Sequence, residues 1–179
     1  ESLVAIEGGY RGQFMANLTF DLTAYHHDYS ALITPEQGVP FFDLLPVPHA
    51  VVPQLLTNAS DAKAWGLEGT VNWQPMAELR FELTYSYIDA SIRIPTGSEP
   101  QSTPYHQLAT RILYQIAPNV GLNVIGRYIG RAPSSGLGDY VDLDAALQWN
   151  VNDQLEIGLV GRNMLAGQRN EFAADFLFA

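Results

Sequence analysis

Two aspartates two residues apart, Asp142 and Asp144, with Asp139 just before them, are the foremost candidates for chemistry in this sequence. A carboxylate pair can pass protons or hold a cation. Arg111 and Arg127 precede the acidic segment, and Glu156 and Arg162 follow it. Were these residues on neighbouring strands, they would pair across a sheet, and that is the simpler reading. Histidines form a second group: His26 and His27 adjoin, while His49 and His106 lie further on. Histidine near an exposed loop can bind metal, but this spacing matches no metal-ligand motif, so polar surface is the preferred reading. Phe41 and Phe42 stand in the longest stretch without periodicity. Aromatics there could contact an incoming ligand or pack the loop onto its own rim. There is no cysteine, which removes disulfides, thiolate ligands and thiol nucleophiles. No G-x-S-x-G, P-loop, H-E-x-x-H or dinucleotide pattern occurs. No catalytic constellation, cofactor or metal site is expected.

The elements that would position these residues are strands. The chain has 179 residues, within the range of one domain. Its net charge of −10, with Lys63 the only lysine, disfavours nucleic acid as a partner. No run of about 18 apolar residues exists, so no transmembrane helix is expected. Glu1-Ser2-Leu3 lacks the basic and apolar regions of a signal peptide. Turn signals separate segments rich in β-branched and aromatic residues. The expected strands are Leu3–Arg11, Phe14–Ser30, Ala64–Gln74, Leu79–Ile92, Tyr105–Ile116, Val120–Arg131, Tyr140–Asn150 and Gln154–Arg162. Their connections alternate in size. Gly12-Gln13, Pro75–Glu78, Ala117–Asn119 and Val151–Asp153 are short, whereas Ala31–Lys63, Arg93–Pro104 and Ala132–Asp139 are long. Outer-membrane barrels have short periplasmic turns and long extracellular loops, so the first strand should run inward and the eighth outward. Five prolines in Ala31–Lys63 predict that little of it joins a central sheet.

Alternate residues of a strand share a face. From the third expected strand onward one such face is apolar, through residues such as Trp65, Leu67, Gly69, Val71 and Trp73, and Leu79, Phe81, Leu83, Tyr85 and Tyr87, none of them charged. The opposite face holds Glu68, Arg80, Glu82, Arg111, Asn123, Arg127, Asp142, Asp144, Glu156 and Arg162. An Arg or Lys facing mid-bilayer lipid would cost about 2–4 kcal/mol. Trp73, Tyr114 and Trp149 fall near one end of the apolar face, and Trp65, Tyr85, Tyr87 and Tyr128 near the other. Two aromatic girdles mark a membrane barrel. The expectation is an all-β fold, an antiparallel transmembrane β-barrel meander in the bacterial outer membrane, with membrane lipid against its outer face. A soluble β-sandwich is the alternative that also alternates.

Four segments carry a family resemblance. Ala64-Trp65-Gly66-Leu67-Glu68-Gly69-Thr70, followed by Trp73-Gln74-Pro75, resembles the G-[LVI]-E strand and W-x-P turn of TonB-dependent receptors. Leu83–Asp89 resembles the next strand, L-x-x-x-Y-x-Y-x-[DN]; Asp139–Asp144 resembles Y-x-x-[LV]-D; and Val160–Leu165 resembles the N-[LM]-[LF] segment. The resemblance implies a plugged barrel of about 22 strands. It implies active import of a scarce ligand, a ferric siderophore foremost, driven by the TonB complex. It implies a plug domain and TonB box N-terminal to Glu1 and a last strand beyond the chain. Residues 1–179 are then expected to be part of a barrel domain. The strand count also permits a self-contained eight-stranded barrel acting as adhesin, anchor or lipid-modifying enzyme. Residues expected to meet ligand, in the outer loops and lumen, are His26, His27, Phe41, Phe42, His106, Arg111, Arg127, Asp142 and Asp144.

The orientation has a direct test. Protease added to intact cells should cut within Ala31–Lys63 and spare Pro75–Glu78; cleavage at the short turn would reverse the assignment.

Overall fold

The computed structural model describes residues 1–95, 97–99, 101–133 and 138–165. They form β-strands and no helix. The strands are β1 (Ser2–Met15), β2 (Leu18–Gln37), β3 (Phe41–Asp43), β4 (His49–Val51), β5 (Gln54–Met76), β6 (Leu79–Ile94), β7 (Gly97–Glu99), β8 (His106–Ala117), β9 (Val120–Ile129), β10 (Tyr140–Asn152) and β11 (Leu155–Gly161). One antiparallel sheet runs β1-β2-β5-β6-β8-β9-β10-β11, with β7 folded back on β6. Its long strands match the eight expected ones. Among the described residues β1 and β11 do not pair, so the sheet is a curved wall and not a closed eight-stranded barrel. Among the described residues the other sheet is the two-stranded β3–β4 hairpin, and the only buried hydrophobic residue is Ala132, at 4% exposure. A sandwich needs an apolar core between two layers, so the soluble alternative does not fit.

Cross-strand register aligns the apolar faces into one surface. Leu18, Trp73 and Phe81 are successive partners, as are Phe20, Val71 and Leu83, and further along Val124 and Ala145. Trp73 stacks on Phe81 at 5.4 Å at one end, and Trp65 meets Tyr87 at 5.1 Å at the other. From Trp73 to Trp65 is about 26 Å of strand at ~3.3 Å per residue, comparable with an apolar band of about 25 Å. The register extends the same face to β1 and β2, through Val4, Ile6, Gly8 and Tyr10 opposite Asp28, His26, Ala24 and Leu22.

The short connections are all two-residue turns at one end of the sheet: Ala16-Asn17, Ala77-Glu78, Pro118-Asn119 and Asp153-Gln154. In each case the pairing shifts register just before the turn, between Gln13 and Met15, Trp73 and Met76, Gln115 and Ala117, and Asn150 and Asn152. Such bulges re-aim the strand into the turn. Glutamines brace three of them: Gln13, Gln74 and Gln115 donate side-chain N–H groups to the carbonyls of Ala16, Ala77 and Ala117.

Two expectations require correction. Gly12-Gln13 is not a turn; β1 continues to Met15. Gly12 instead makes room for aromatic packing, because a Cβ there would lie 2.6 Å from the Phe20 ring. Nor is Ala31–Lys63 mainly irregular. β2 runs on to Gln37 and β5 begins at Gln54, pairing Glu36 with Leu55 and Pro35 with Leu56. β1 pairs with β2 only as far as Ser30, so Pro35 sits in an edge strand and its missing N–H breaks no central ladder. The small β3–β4 hairpin caps this extension. The loop after Ala132 is described only in part, and residues 166–179, where the last loop and a strand start were expected, lie outside the described residues.

The wall's two faces set the next expectation. Leu83→Arg should impair insertion of the full-length protein by about 2–4 kcal/mol, and Thr84→Arg should be tolerated better. Folding into vesicles, read by heat-modifiable gel migration, checks this; equal defects would undo the face assignment.

Candidate functional site on the inner wall

The inward face of β8, β9 and β10 collects the acidic and basic candidates. Arg127 stands opposite Asp142, and Asp144 lies two residues along the same face. The Arg127 guanidinium Nη2 donates to Asp142 Oδ2 at 2.7 Å and to Asp144 Oδ2 at 2.6 Å. Asp142 is buried, at 6% exposure, and its Oδ1 also accepts the Leu143 N–H at 2.8 Å. Asp144 Oδ1 accepts the N–H of Asn163 at 2.8 Å, and the Met164 N–H reaches the Leu143 carbonyl at 2.9 Å. Asn163 has φ 54°, a left-handed conformation that asparagine tolerates better than most residues. A single guanidinium therefore ties two carboxylates, and one of those holds the segment leaving β11. Both aspartates are engaged in ways that suit charge pairing, not proton transfer.

The neighbouring wall is similarly polar. Arg111 faces Glu82 across the β6–β8 pair and donates its Nε–H to Asn123 Oδ1 at 3.1 Å. Arg80 pairs with Glu82 at 3.1 Å. Further round, His27 projects inward, 3.1 Å from Glu7 Oε1, with its ring 5.0 Å from Tyr25 and 6.1 Å from Tyr29.

The histidines do not converge. His26 is on the outward face, opposite Ile6 and Trp65. His106 is outward too, with Nδ1 2.8 Å from the Tyr85 hydroxyl and its ring 5.0 Å from Tyr87. His49 contacts the Val47 carbonyl. Among the described residues no group of three metal-ligating side chains forms. Phe41 and Phe42 lie on β3 at the tip of the long hairpin, 53% and 80% exposed. The candidates thus divide into an inner charged cluster, an inner His27 group, an exposed hairpin tip and two outward histidines.

Sequence reasoning missed several contributors. Glu7, Tyr25 and Tyr29 share a face with His27 by their spacing, a signal masked by the adjacent His26. Gln101 carries no recognisable signal. It is buried at 8%, its Oε1 accepts the Ala90 N–H and its Nε2 donates to the carbonyls of Ile88 and Thr103. It thereby satisfies β6 where β8 ends and β7 has not begun. Gly66, in the motif strand, lies beneath the Tyr25 phenol, where any Cβ would collide with that hydroxyl and with the Tyr87 carbonyl.

The family profile described as TonB dependent receptor-like, beta-barrel matches residues 1–164. The chain belongs to this family. Among solved structures, the ferric-catecholate import receptor Fiu from Escherichia coli K12, in its closed form, superposes with a TM-score of 0.65 at 19% identity, covering 90% of this chain and 23% of that receptor. The siderophore receptor PirA from Acinetobacter baumannii gives 0.64 at 15% identity, covering 87% of this chain and 27% of that receptor. At these identities the likeness is one of fold, and the chain spans about a quarter of either receptor. No curated protein sequence matches the chain. Within a TonB-dependent receptor barrel, the face with Arg127, Asp142 and Asp144 is the inner wall and the charge-free face the outer one.

The carboxylate link between β10 and Asn163 can be probed by hydrogen exchange. Asp144→Ala should speed exchange of the Asn163 amide by about tenfold or more, because its acceptor is removed. Arg127→Met combined with Asp144→Ala should destabilise by less than the sum of the single changes, since both residues belong to one network.

Proposed function

We propose that this chain forms barrel wall and extracellular loops of an outer-membrane active transporter that imports a scarce ligand, a ferric siderophore, energised by the TonB complex. The observation that carries the reading is the split between the two faces of one sheet. The outward face has no charge between its aromatic belts, as lipid demands. The inward face carries Arg111, Arg127, Asp142, Asp144, Glu82 and His27, as a hydrated lumen allows. Family membership supplies the transporter class, and the two siderophore receptors of like fold support the cargo. On this reading residues 1–179 are part of the barrel domain. A plug domain and TonB-contacting region belong to the same protein, and the chain crosses the outer membrane several times. Transport by such a wall needs no catalytic group. His27, Phe41, Phe42, Arg111 and Arg127 are the residues we assign to the ligand's path, the phenylalanines first because they stand outermost.

The test is uptake of iron-labelled siderophores by iron-starved cells whose own receptors are deleted, with the full-length protein as the sole receptor. Uptake should be saturable and should vanish on deletion of tonB. Phe41→Ser with Phe42→Ser should weaken ligand binding about 5- to 30-fold, the usual cost of removing aromatic anchors. Uptake indifferent to tonB would refute active import, and unchanged affinity in the double variant would remove the hairpin tip from the path.

A further inference from the structure

The strand-borne arginines of the inward face are all committed. Arg11 pairs with Asp21 at 2.5 Å, and Arg80 lies 3.1 Å from Glu82. Arg127 is shared by Asp142 and Asp144. Arg111 donates to Asn123 and stands opposite Glu82. Arg162, one residue past β11, is attracted to the same Asp144. Three further carboxylates share this face and pair with no arginine among the described residues. Glu7 stands opposite Tyr25, Glu68 opposite Thr23 and Ser86, and Glu156 opposite Asn150. This wall therefore offers spare acceptors and no spare guanidinium.

Two of the spare carboxylates flank a ridge of rings. Tyr25, His27 and Tyr29 occupy alternate positions of β2, with successive centroids 5.0 and 6.1 Å apart. The first two rings are 30° from parallel, and Tyr29 stands edge-on to His27 at 86°. Their β5 partners are Gly66, Ala64 and Ala62, too short to cover the rings. On the β1 side Glu7 meets His27 Nε2 at 3.1 Å, and its side chain stays 60% exposed. On the β5 side Glu68 lies two residues below Gly66 on the same face, diagonal to Tyr25.

These groups share one preference. The face of an aromatic ring is its negative pole and attracts cations and apolar groups. A carboxylate accepts hydrogen bonds and donates none. Both favour a ligand that brings N–H donors and no surplus of negative charge. Ferric complexes differ in this respect: three hydroxamates neutralise iron(III), whereas three dianionic catecholates leave a trianion. We propose that this part of the lumen wall selects ferric trihydroxamates, neutral or bearing a free ammonium group, over ferric tris-catecholates. Glu7, Glu68 and the Tyr25–His27–Tyr29 ridge are the specificity-determining group. The inference rests on the siderophore reading above and adds the charge of the ligand to it.

The test uses the purified full-length protein in detergent and three probes: a neutral ferric trihydroxamate, a ferric trihydroxamate with one free ammonium, and a ferric tris-catecholate. Quenching of tryptophan fluorescence reads binding at low and at physiological salt. The wild type should bind the ammonium-bearing complex tightest and the tris-catecholate weakest, by about tenfold or more. Salt should narrow that gap, because screening weakens attraction and repulsion alike. Glu7→Gln with Glu68→Gln should narrow it by about 3- to 10-fold at low salt. Tyr29→Ala should weaken the ammonium-bearing complex more than the neutral one. Heat-modifiable migration identifies folded variants, and the salt dependence of the wild type decides the matter where a variant folds poorly. Tightest binding of the tris-catecholate, or a preference changed neither by salt nor by the double substitution, would overturn the inference and leave the siderophore reading standing. Binding of none of the three complexes would overturn both.

Discussion

A bilayer offers no water to a stray N–H or C=O, and each unsatisfied group costs several kcal/mol there. That constraint governs the whole wall. Each long strand pairs antiparallel with the next long strand along the chain, so the ladder is built from hairpins and needs no crossover. At the short-turn end, where ladders would fray, bulges and amide side chains finish the accounting. Asn17 and Gln74 exchange bonds between adjacent turns, as do Asn119 and Asn150. At the far end Gln101 does for β6 what a strand would have done. The same requirement makes β1 and β11 edges that a complete barrel has to close.

With the backbone satisfied internally, side chains are free to report their solvent. Outward positions between the belts are aliphatic, aromatic or small; inward positions carry ions. The inner ions are nevertheless not left loose. Arg127 joins β9 to β10, and Asp144 joins β10 to the chain leaving β11. An ion pair with partly exposed members adds little stability by itself. Its value here is geometric, because it fixes where the last described loop departs from the wall.

The fold was legible because the lipid penalty is written at every second residue over many strands, so parity alone recovers the faces of β5 to β11. Turn positions were less legible. Gly12 reads as a turn glycine, yet its missing side chain is filled by Phe20. Only the cross-strand partner reveals that, and the partner depends on the register the turn itself sets. Prolines in the long hairpin were also misread. Pro35 excludes a central strand but not an edge, and whether β2 is an edge beyond Ser30 depends on where β1 begins to pair. The charged cluster was visible as opposite charges on adjacent strands. That Arg127 would take both aspartates, with Asn163 as a further partner, is diagonal geometry that spacing does not encode. His26 and His106 looked like loop-proximal polar residues, and their strand parity carries them to the outward face.

The transition between wall and hairpin brings these constraints together. Below Ser30, β2 is flanked by β1 and β5, and its outward residues up to His26 carry no carboxylate, Asp28 being the first, just past the Trp65 belt. Above it, β2 pairs with β5 alone and the outward face admits Asp61 and Arg93. The change coincides with Ala31, whose left-handed backbone would be costly unless braced. Asp61 and Asn58 provide the brace, and both come from β5, the strand that continues upward. A bend at this height turns the hairpin without interrupting the ladder inside the bilayer, where an interruption would be least affordable. It also leaves exposed apolar residues such as Phe42, Leu44 and Leu45 beyond the membrane, held away from the lipid that would otherwise absorb them. The physics that keeps polar backbone out of lipid thus also decides which apolar side chains stand exposed on the hairpin past the belt.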